Sequence, residues 1–369
     1  MSRRELSDAE KIDWLRLTRA ENVGPITFRQ LLRRYGSARA ALEALPALAE
    51  RGGKKSFKIP AQSQVEDEVA RAKKIGAEFL FWQEPDYPEA LAAIEDAPPV
   101  ITVRGHAALL RKRCIGIVGA RNASINGRKM AEALARDLGK SEITVVSGLA
   151  RGIDTAAHEA SLGTGTVAVL AGGADIVYPQ ENAKLYEHVA ESGCILSDMP
   201  LGLEPFAKLF PRRNRLISGL SLGVVVVEAA LQSGSLITAK MALDQGREVF
   251  AVPGSPLDPH CTGTNDLIRQ GAILTEKAED ILTHIHGLLR LLAEPVANDF
   301  GPGVGPIDEA LLTSGREKIL ESLSPSPVSI DELVRQCRLT PSVVLAVLLE
   351  LELAGRVERQ AGNKVMLIA

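Results

Sequence analysis

The densest ligand-binding chemistry in this 369-residue chain lies in PFAKLFPRRNRLISGLS, where Lys208, Arg212, Arg213 and Arg215 fall within eight residues. Asn214 stands among them and Phe206 and Phe210 lie beside them. With Glu204 counted, residues 204–216 carry a net charge of +3. Cationic groups meet phosphates while rings stack on bases, so this composition suits a single-stranded nucleic acid. The plainer alternative is a solvated turn with core phenylalanines. Three further segments place small or donor-bearing residues where a strand gives way to a helix. GARNASINGRK supplies Arg121 and Ser124, SGLARGID supplies Ser147, Gly148 and Arg151, and EAALQSGSLITAK supplies Gly234, Ser235, Thr238 and Lys240. Helix starts of this kind direct N–H groups at anions. GARNASINGRK is not a dinucleotide fingerprint, because Arg121 stands where close approach of a pyrophosphate requires a small residue. Four such loops along one sheet edge imply an open groove rather than a closed pocket.

The elements that must position these loops follow from hydrophobic texture. From residue 113, short Val- and Ile-rich runs (CIGIVGA, ITVVSGL, TVAVLAGG, CILSDMP, LGVVVVEAA, EVFAVPG, GAILTE) alternate with helical stretches. That alternation specifies a parallel sheet buried on both faces, a doubly wound α/β domain whose ligands bind beyond the carboxyl ends of the strands. Before it, residues 1–80 read as helical, with ENVGPITFRQLLRRYGSARAALEAL as a helix–turn–helix, and EPDYPEALAAIEDAPPVITVRG reads as a connector ending in a short strand. The α/β domain is expected over 81–290. Residues 291–314, acidic and containing ANDFGPGVGP, read as a flexible linker. Residues 315–369 read as three helices and a terminal hairpin, the pattern of a winged helix. Its third helix, SVVLAVLLELELAG, carries Glu350 and Glu352 and no Lys or Arg, which argues for packing or protein interaction over groove reading.

Composition sets outer limits. Hydrophobic residues make up 46% and charged residues 24%, which excludes disorder for most of the chain. The net charge of −3 excludes an indiscriminate nucleic-acid coat but not a local basic stripe. The four cysteines are widely spaced, without metal-site spacing, and read as structural thiols in a reducing compartment. The N-terminus has no apolar leader, and no run approaches the ~20 apolar residues that span a bilayer. A cytoplasmic protein with no membrane association, metal or cofactor is expected.

GARNAS, SGLARGIDTAAH, FPRRNRLISGLS, SGSLITA, VPG and GTNDLIRQGA, in that order, resemble the DNA-processing protein A family (DprA/Smf) across most of 80–285. The helical front, which is sterile-alpha-motif or helix-hairpin-helix-like, and the winged-helix tail fit its longer members. The resemblance implies an extended Rossmann-like domain that binds single-stranded DNA in a basic groove and forms homodimers. It also implies that the protein loads the RecA recombinase onto DNA taken up in natural transformation. Carried over by motif, the DNA-contacting positions are Arg121, then Ser147, Gly148 and Arg151, then the Arg212–Arg215 turn. Where several relatives have a basic residue after a Tyr-Pro pair, this chain has Gln180 and Glu181, with Lys184 as the alternative source of that charge. Leu267, Ile268, Ile273 and Leu274 are the dimer candidates, and a buried core explains them equally well.

The competing classes are a nucleotide N-glycosidase and a mononucleotide sensor. Asp154 and Glu228 would be the acid/base pair of such an enzyme. Against this, Asp154 opens a helix, Glu228 is placed to organise a loop, and the PGG-x-GT-x-E signature is absent. His158 reads as a structural helix residue, and there is no G-x-x-x-x-G-K-[ST] phosphate loop. A non-enzymatic binder is therefore expected.

Overall fold

The computed structural model describes residues 3–54, 56–291, 309–360 and 363–368. Its described residues form two compact units. One comprises 67–291 with the segment before residue 6, and the other comprises 6–66 together with 309–368.

The chain begins with α1 (Asp8–Thr18), α2 (Pro25–Tyr35) and α3 (Ala38–Arg51). Ser7 and Glu10 form a reciprocal capping box on α1. Pro25 stands at the first position of α2, after Gly24 as its N-cap.

The α/β unit follows, from α4 (Gln62–Lys74) through β1 (Ala77–Phe81), α5 (Glu89–Ala92), β2 (Val100–Gly105), β3 (Cys114–Val118) and α6 (Ile125–Lys140). Next come β4 (Thr144–Ser147), α7 (Ile153–Ser161), β5 (Thr166–Val169), α8 (Ala183–Ser192) and β6 (Cys194–Ser197). The unit closes with α9 (Leu209–Leu220), β7 (Gly223–Val226), α10 (Gly234–Asp244), β8 (Glu248–Ala251), α11 (Thr262–Arg269), β9 (Ile273–Leu274) and α12 (Ala278–Leu291). The strands form one sheet in the order β1-β2-β6-β5-β4-β3-β7-β8-β9. Strands β3 to β9 are parallel, and β2 joins β6 antiparallel. The stretch read as helical to residue 80 therefore ends in a strand, since Ala77–Phe81 pairs with Val100–Arg104 and extends the sheet.

Alternate strand residues separate the core into two layers. Val118, Val146, Val167, Val224 and Val226 pack with Leu216, Leu220 and Ala239 on one face. Ile115, Ile117, Val145, Val225 and Phe250 pack with Leu134, Leu138 and Ile281 on the other. Burial on both faces is what makes the strands read as continuous apolar runs. Strand order reverses between β3 and β7, so the switch point lies beyond their carboxyl ends.

The second unit adds α13 (Glu309–Ser322), β10 (Val328–Ser329), α14 (Ile330–Cys337), α15 (Pro341–Leu353), β11 (Val357–Gln360) and β12 (Lys364–Leu367) to α1–α3. The three strands pair in the order β10-β12-β11, the wing of a winged helix. Of the expected linker, 292–308 lies outside the described residues, while 309–314 is already helical in α13.

Helix α15 is apolar nearly all round because it is covered twice, by α13 and α14 and again by α2 and α3. A Cβ at Gly52, just beyond α3, would stand 2.2 Å from the Glu350 carbonyl. Asn22 Nδ2 donates to the Leu353 carbonyl at 3.0 Å, capping the end of α15. The acids that spoke against groove reading are buried ion pairs, Glu350 with Arg316 at 2.5 Å and Glu352 with Arg359 at 3.3 Å. Burial holds the Glu352 carboxyl above its usual range, opposed by Arg359.

All four cysteines are free and buried, and burial pushes the Cys114 thiol up to about 12. Among the described residues no helix is long and apolar enough to cross a membrane.

Candidate nucleic-acid interface

At the switch point the first loop closes on itself. Ser124 is the N-cap of α6, accepting from the Gly127 N–H at 2.9 Å. Glu228, just beyond β7, accepts from the Ser124 N–H at 2.9 Å and from its hydroxyl at 2.5 Å. The carboxylate sits so tightly at this helix start that a Cβ at Gly127 would lie 2.3–2.6 Å from its atoms. The seat that a nucleotide phosphate takes in a dinucleotide-binding sheet is here filled by a side chain of the same chain.

The second loop also turns inward. Asp154 accepts from the N–H groups of Gly148 and Ala150 at 3.1 and 3.3 Å, and Ser147 donates its hydroxyl to the Ile117 carbonyl at 2.6 Å. Leu149 adopts a left-handed φ of 56° and donates its N–H to His158 Nε2 at 3.3 Å. A backbone N–H can only donate, so His158 carries its hydrogen on Nδ1, 2.7 Å from Thr166 Oγ1. Burial, with the Arg213 charge adding, holds this imidazole neutral, down to about 3. Asn182 Nδ2 completes the brace through the carbonyls of Leu149 and Ala150. Ser124, Ser147 and Gly148 thus shape the loops, and the donors expected of them are spent internally.

The arginine segment is helical rather than a turn. Pro211 falls in the first turn of α9, where no intrahelical N–H is needed. That geometry divides the cations. Lys208 and Arg212 are exposed and Asn214 is half-buried, whereas Arg213 and Arg215 are buried. Arg215 is held by Asp198 at 2.6 Å and by the Asp96 carbonyl, so it staples α9 to neighbouring loops and does not face the groove. Arg213 donates to the Val169 carbonyl at 2.5 Å. Burial lowers its pKa to about 10 against the opposing charge of Asp154, while burial raises the Asp154 carboxyl against the charge of Arg213.

What remains open is a pocket of about 310 Å³ beyond β4 and β5, displaced from the switch point. Arg121, Gly148, Arg151, Tyr178, Phe210 and Arg213 line it, with Gln180 and Glu181 on its wall. The Arg121 guanidinium lies 5.3 Å from the Phe210 ring centre, and Tyr178 packs on the same ring at 5.5 Å. Tyr178 is 46% exposed, so a ring as well as cations reaches solvent here, while Phe206, 52% exposed, does not line the pocket. Arg151 is drawn to Glu181 at 3.7 Å, which partly neutralises this wall. Lys184 is exposed on α8 but does not line the pocket.

The fourth loop does not join this pocket. Gly234 and Lys240 are exposed on α10, while Ser235 and Thr238 are buried, the Ser235 hydroxyl bonded to Ser233 at 2.7 Å. Sequence reasoning passed over Tyr178, whose signal was an aromatic ring in a loop beyond a sheet strand. Of the dimer candidates, Leu267 and Ile273 pack against the core, Ile268 is half-buried, and Leu274 is 47% exposed on the edge strand β9.

A doubly wound sheet with an antiparallel extension, a self-filled switch point and an open cationic pocket beside it define an extended Rossmann-like domain, carried in a chain that also has a winged helix. Family comparison agrees: the DNA recombination-mediator protein A model matches residues 78–286, the DprA-like N-terminal HHH domain 8–71, and the DprA winged helix domain 306–363. The chain belongs to the DNA recombination-mediator protein A family. It is 39% identical over 284 residues to Protein Smf of Escherichia coli K12, covering 76% of this chain and 75% of that one. With Protein Smf of Synechocystis it shares 33% identity over 395 residues, covering 97% of this chain and 99% of the other. The X-ray structure of DNA processing protein A from Streptococcus pneumoniae superposes with a TM-score of 0.61 at 34% identity, covering 76% of this chain and 98% of that one. The Helicobacter pylori DNA processing protein A, whose structure concerns a single-stranded DNA binding mode, gives 0.52 at 29% identity over 58% of this chain and 96% of its own.

Proposed function

We propose that the chain binds single-stranded DNA without catalysis, acts as a homodimer, and loads the RecA recombinase onto the bound strand. The observation that carries the reading is the Arg121–Phe210–Tyr178 stack at the pocket mouth, which sets a cation and two rings side by side. Phosphates engage Arg121, Arg151, Lys208 and Arg212, while bases stack on Tyr178, Phe206 and Phe210 with little sequence preference. The buried Arg213 lends its charge from beneath. The Helicobacter pylori relative described for single-stranded DNA binding supports the same ligand.

The non-catalytic part rests on the fate of the candidate groups. Glu228 and Asp154 are both occupied as acceptors for backbone N–H groups, and His158 is buried and neutral. None is poised as a general acid or base toward the pocket. Leu274 on the sheet-edge strand β9 supports self-association.

Anisotropy titration of a labelled single strand at two salt concentrations tests the site. Arg121→Ala should weaken binding and lower the salt slope by about 0.7, the value for one phosphate neutralised on a single strand. Unchanged affinity and slope in a folded Arg121→Ala/Phe210→Ala variant would sink the assignment. Free base released from nucleoside monophosphates would overturn the non-catalytic reading. Unchanged RecA filament nucleation on strands bound by the protein would overturn the loading role.

A further inference from the structure

Asn182 stands at the N-cap position of α8 and does not cap it. Asn is among the residues best suited to accept from the first N–H groups of a helix, yet this side chain makes no such bond. It turns away from its own helix and is only 7% exposed. Its Nδ2 donates instead to the Leu149 carbonyl at 2.9 Å, the Ala150 carbonyl at 3.3 Å and Thr155 Oγ1 at 3.0 Å. Thr155 in turn donates its hydroxyl to the Ala150 carbonyl at 2.8 Å. One amide thus grips the two residues that precede Arg151. Its backbone N–H bonds the Pro179 carbonyl at 3.0 Å, so the turn bearing Tyr178 and the loop bearing Arg151 are tied through this residue.

The grip falls where the backbone needs it. The left-handed φ of Leu149 is one that a leucine rarely adopts, and it persists only where the surroundings hold it. Its N–H is held by His158 and its carbonyl by Asn182. On the other side of Arg151, Gly152 adopts a φ of 81°, and a Cβ there would stand 2.3 Å from the Ala120 carbonyl. The Ile153 N–H donates to that same carbonyl at 3.2 Å. The Arg151 side chain itself is 57% exposed, and its ion pair with Glu181 is exposed on both sides and weak. The aim of this cation is therefore set by the backbone of its neighbours.

We propose that Asn182 is a positioning residue for Arg151, bracing the 148–151 loop so that the guanidinium meets a strand phosphate at the pocket. The role rests on the single-strand reading of that pocket. A loop braced in advance avoids the ordering cost that a mobile one incurs on binding. Without the amide, the Leu149 carbonyl loses its donor, the left-handed turn relaxes toward ordinary backbone, and Arg151 is carried off the phosphate. Stabilising α8 does not account for this side chain, because none of its bonds goes to that helix.

The test is a double-mutant cycle on the full chain, read by anisotropy of a labelled single strand at two salt concentrations. Asn182→Leu keeps nearly the same volume and removes the donor. It is expected to lower affinity about tenfold at low salt, the upper end of the cost of ordering one mobile charged side chain. Its salt slope should fall by about 0.7, as in Arg151→Ala. The Asn182→Leu/Arg151→Ala variant should bind no more weakly than Arg151→Ala alone, whereas Arg212→Ala, on a different helix, should add its loss in full to that of Asn182→Leu. Thr155→Val withdraws the second donor to Ala150, and its smaller loss should likewise vanish in an Arg151→Ala background, which decides the matter if Asn182→Leu does not fold. Wild-type affinity and slope in folded Asn182→Leu, or losses that add to those of Arg151→Ala, would overturn the positioning role alone. Unchanged affinity and slope in Arg151→Ala would overturn the assignment of that cation to the strand, and this role with it.

Discussion

The guanidinium of Arg213 lies across Gly148 so closely that a Cβ at that glycine would stand 2.0 Å from Nη1. Gly148 is thus required by a buried cation beneath the pocket floor and not by a ligand above it. Gly148→Ala should cost about 1–3 kcal/mol through overpacking, with weaker single-strand binding as Arg213 is pushed aside. A thermal melt paired with an anisotropy titration checks both, and an unshifted melt would contradict this packing.

Arg212 and Arg215 are three residues apart and should behave oppositely. Arg215→Ala leaves Asp198 buried beside a cavity, at a cost of about 3–5 kcal/mol for breaking a buried pair. Arg212→Ala removes an exposed cation and should leave the melt within about 0.5 kcal/mol while weakening single-strand binding. Denaturant midpoints and binding curves for the two variants separate a staple from a phosphate-binding side chain.

The carboxylate of Glu228 fills the α6 helix start, so removing it should expose an anion seat. Glu228→Ala is expected to lose about 1–3 kcal/mol from unsatisfied donors. Inorganic phosphate should then raise the melting temperature of the variant and not of the unaltered chain. Equal phosphate responses would count against the filled-seat description.

The Arg151–Glu181 pair is exposed on both sides, so its effect should appear in binding rather than folding. Glu181→Lys is expected to raise single-strand affinity and steepen the salt slope by about 0.7 if the new charge gains one phosphate. A parallel titration of the two proteins at two salt concentrations decides it.

Acid stability should report on His158. Its folded value is about 3 against 6.5 unfolded, so between those limits the unfolded chain binds the extra proton. The contribution is complete above pH 6.5 and is lost as pH falls toward about 3. Asp154, raised by burial, acts in the opposite direction above its usual 3.8, so the comparison must be between variants. His158→Gln should flatten the stability profile between pH 6.5 and 4, as read from denaturant midpoints.

The parallel sheet was legible because strands such as Gly223–Val226 are buried on both faces, and burial of that kind writes itself as unbroken apolar runs. The sheet edge carrying the site followed from the same topology. The AEFLF strand escaped because it is short and pairs antiparallel with a distant segment, which its own residues do not announce. The clustering of arginines was visible but not their direction. Arg213 and Arg215 turn inward because Val169, Asp154 and Asp198 await them, and those partners are fixed by tertiary packing. The inward use of Ser124 and Ser147 was hidden for the same reason. Glu350 and Glu352 stood out on α15, but their pairing with Arg316 and Arg359 and the cover supplied by α2 and α3 come from tertiary packing that the helix's own residues do not announce.

That covering has a consequence for synthesis. The bond from Asn22 to the Leu353 carbonyl joins residues 331 positions apart, so α2 and α3 leave the ribosome long before the helix they shelter exists. Long-range closure of this kind is slow relative to local folding, and it leaves the waiting surface exposed to aggregation and to chaperones. The helical unit is therefore completed only after α15 has been made, 331 positions beyond Asn22. A message truncated before α15 would yield an α/β domain carrying an unfinished, sticky appendage, which quality control can recognise.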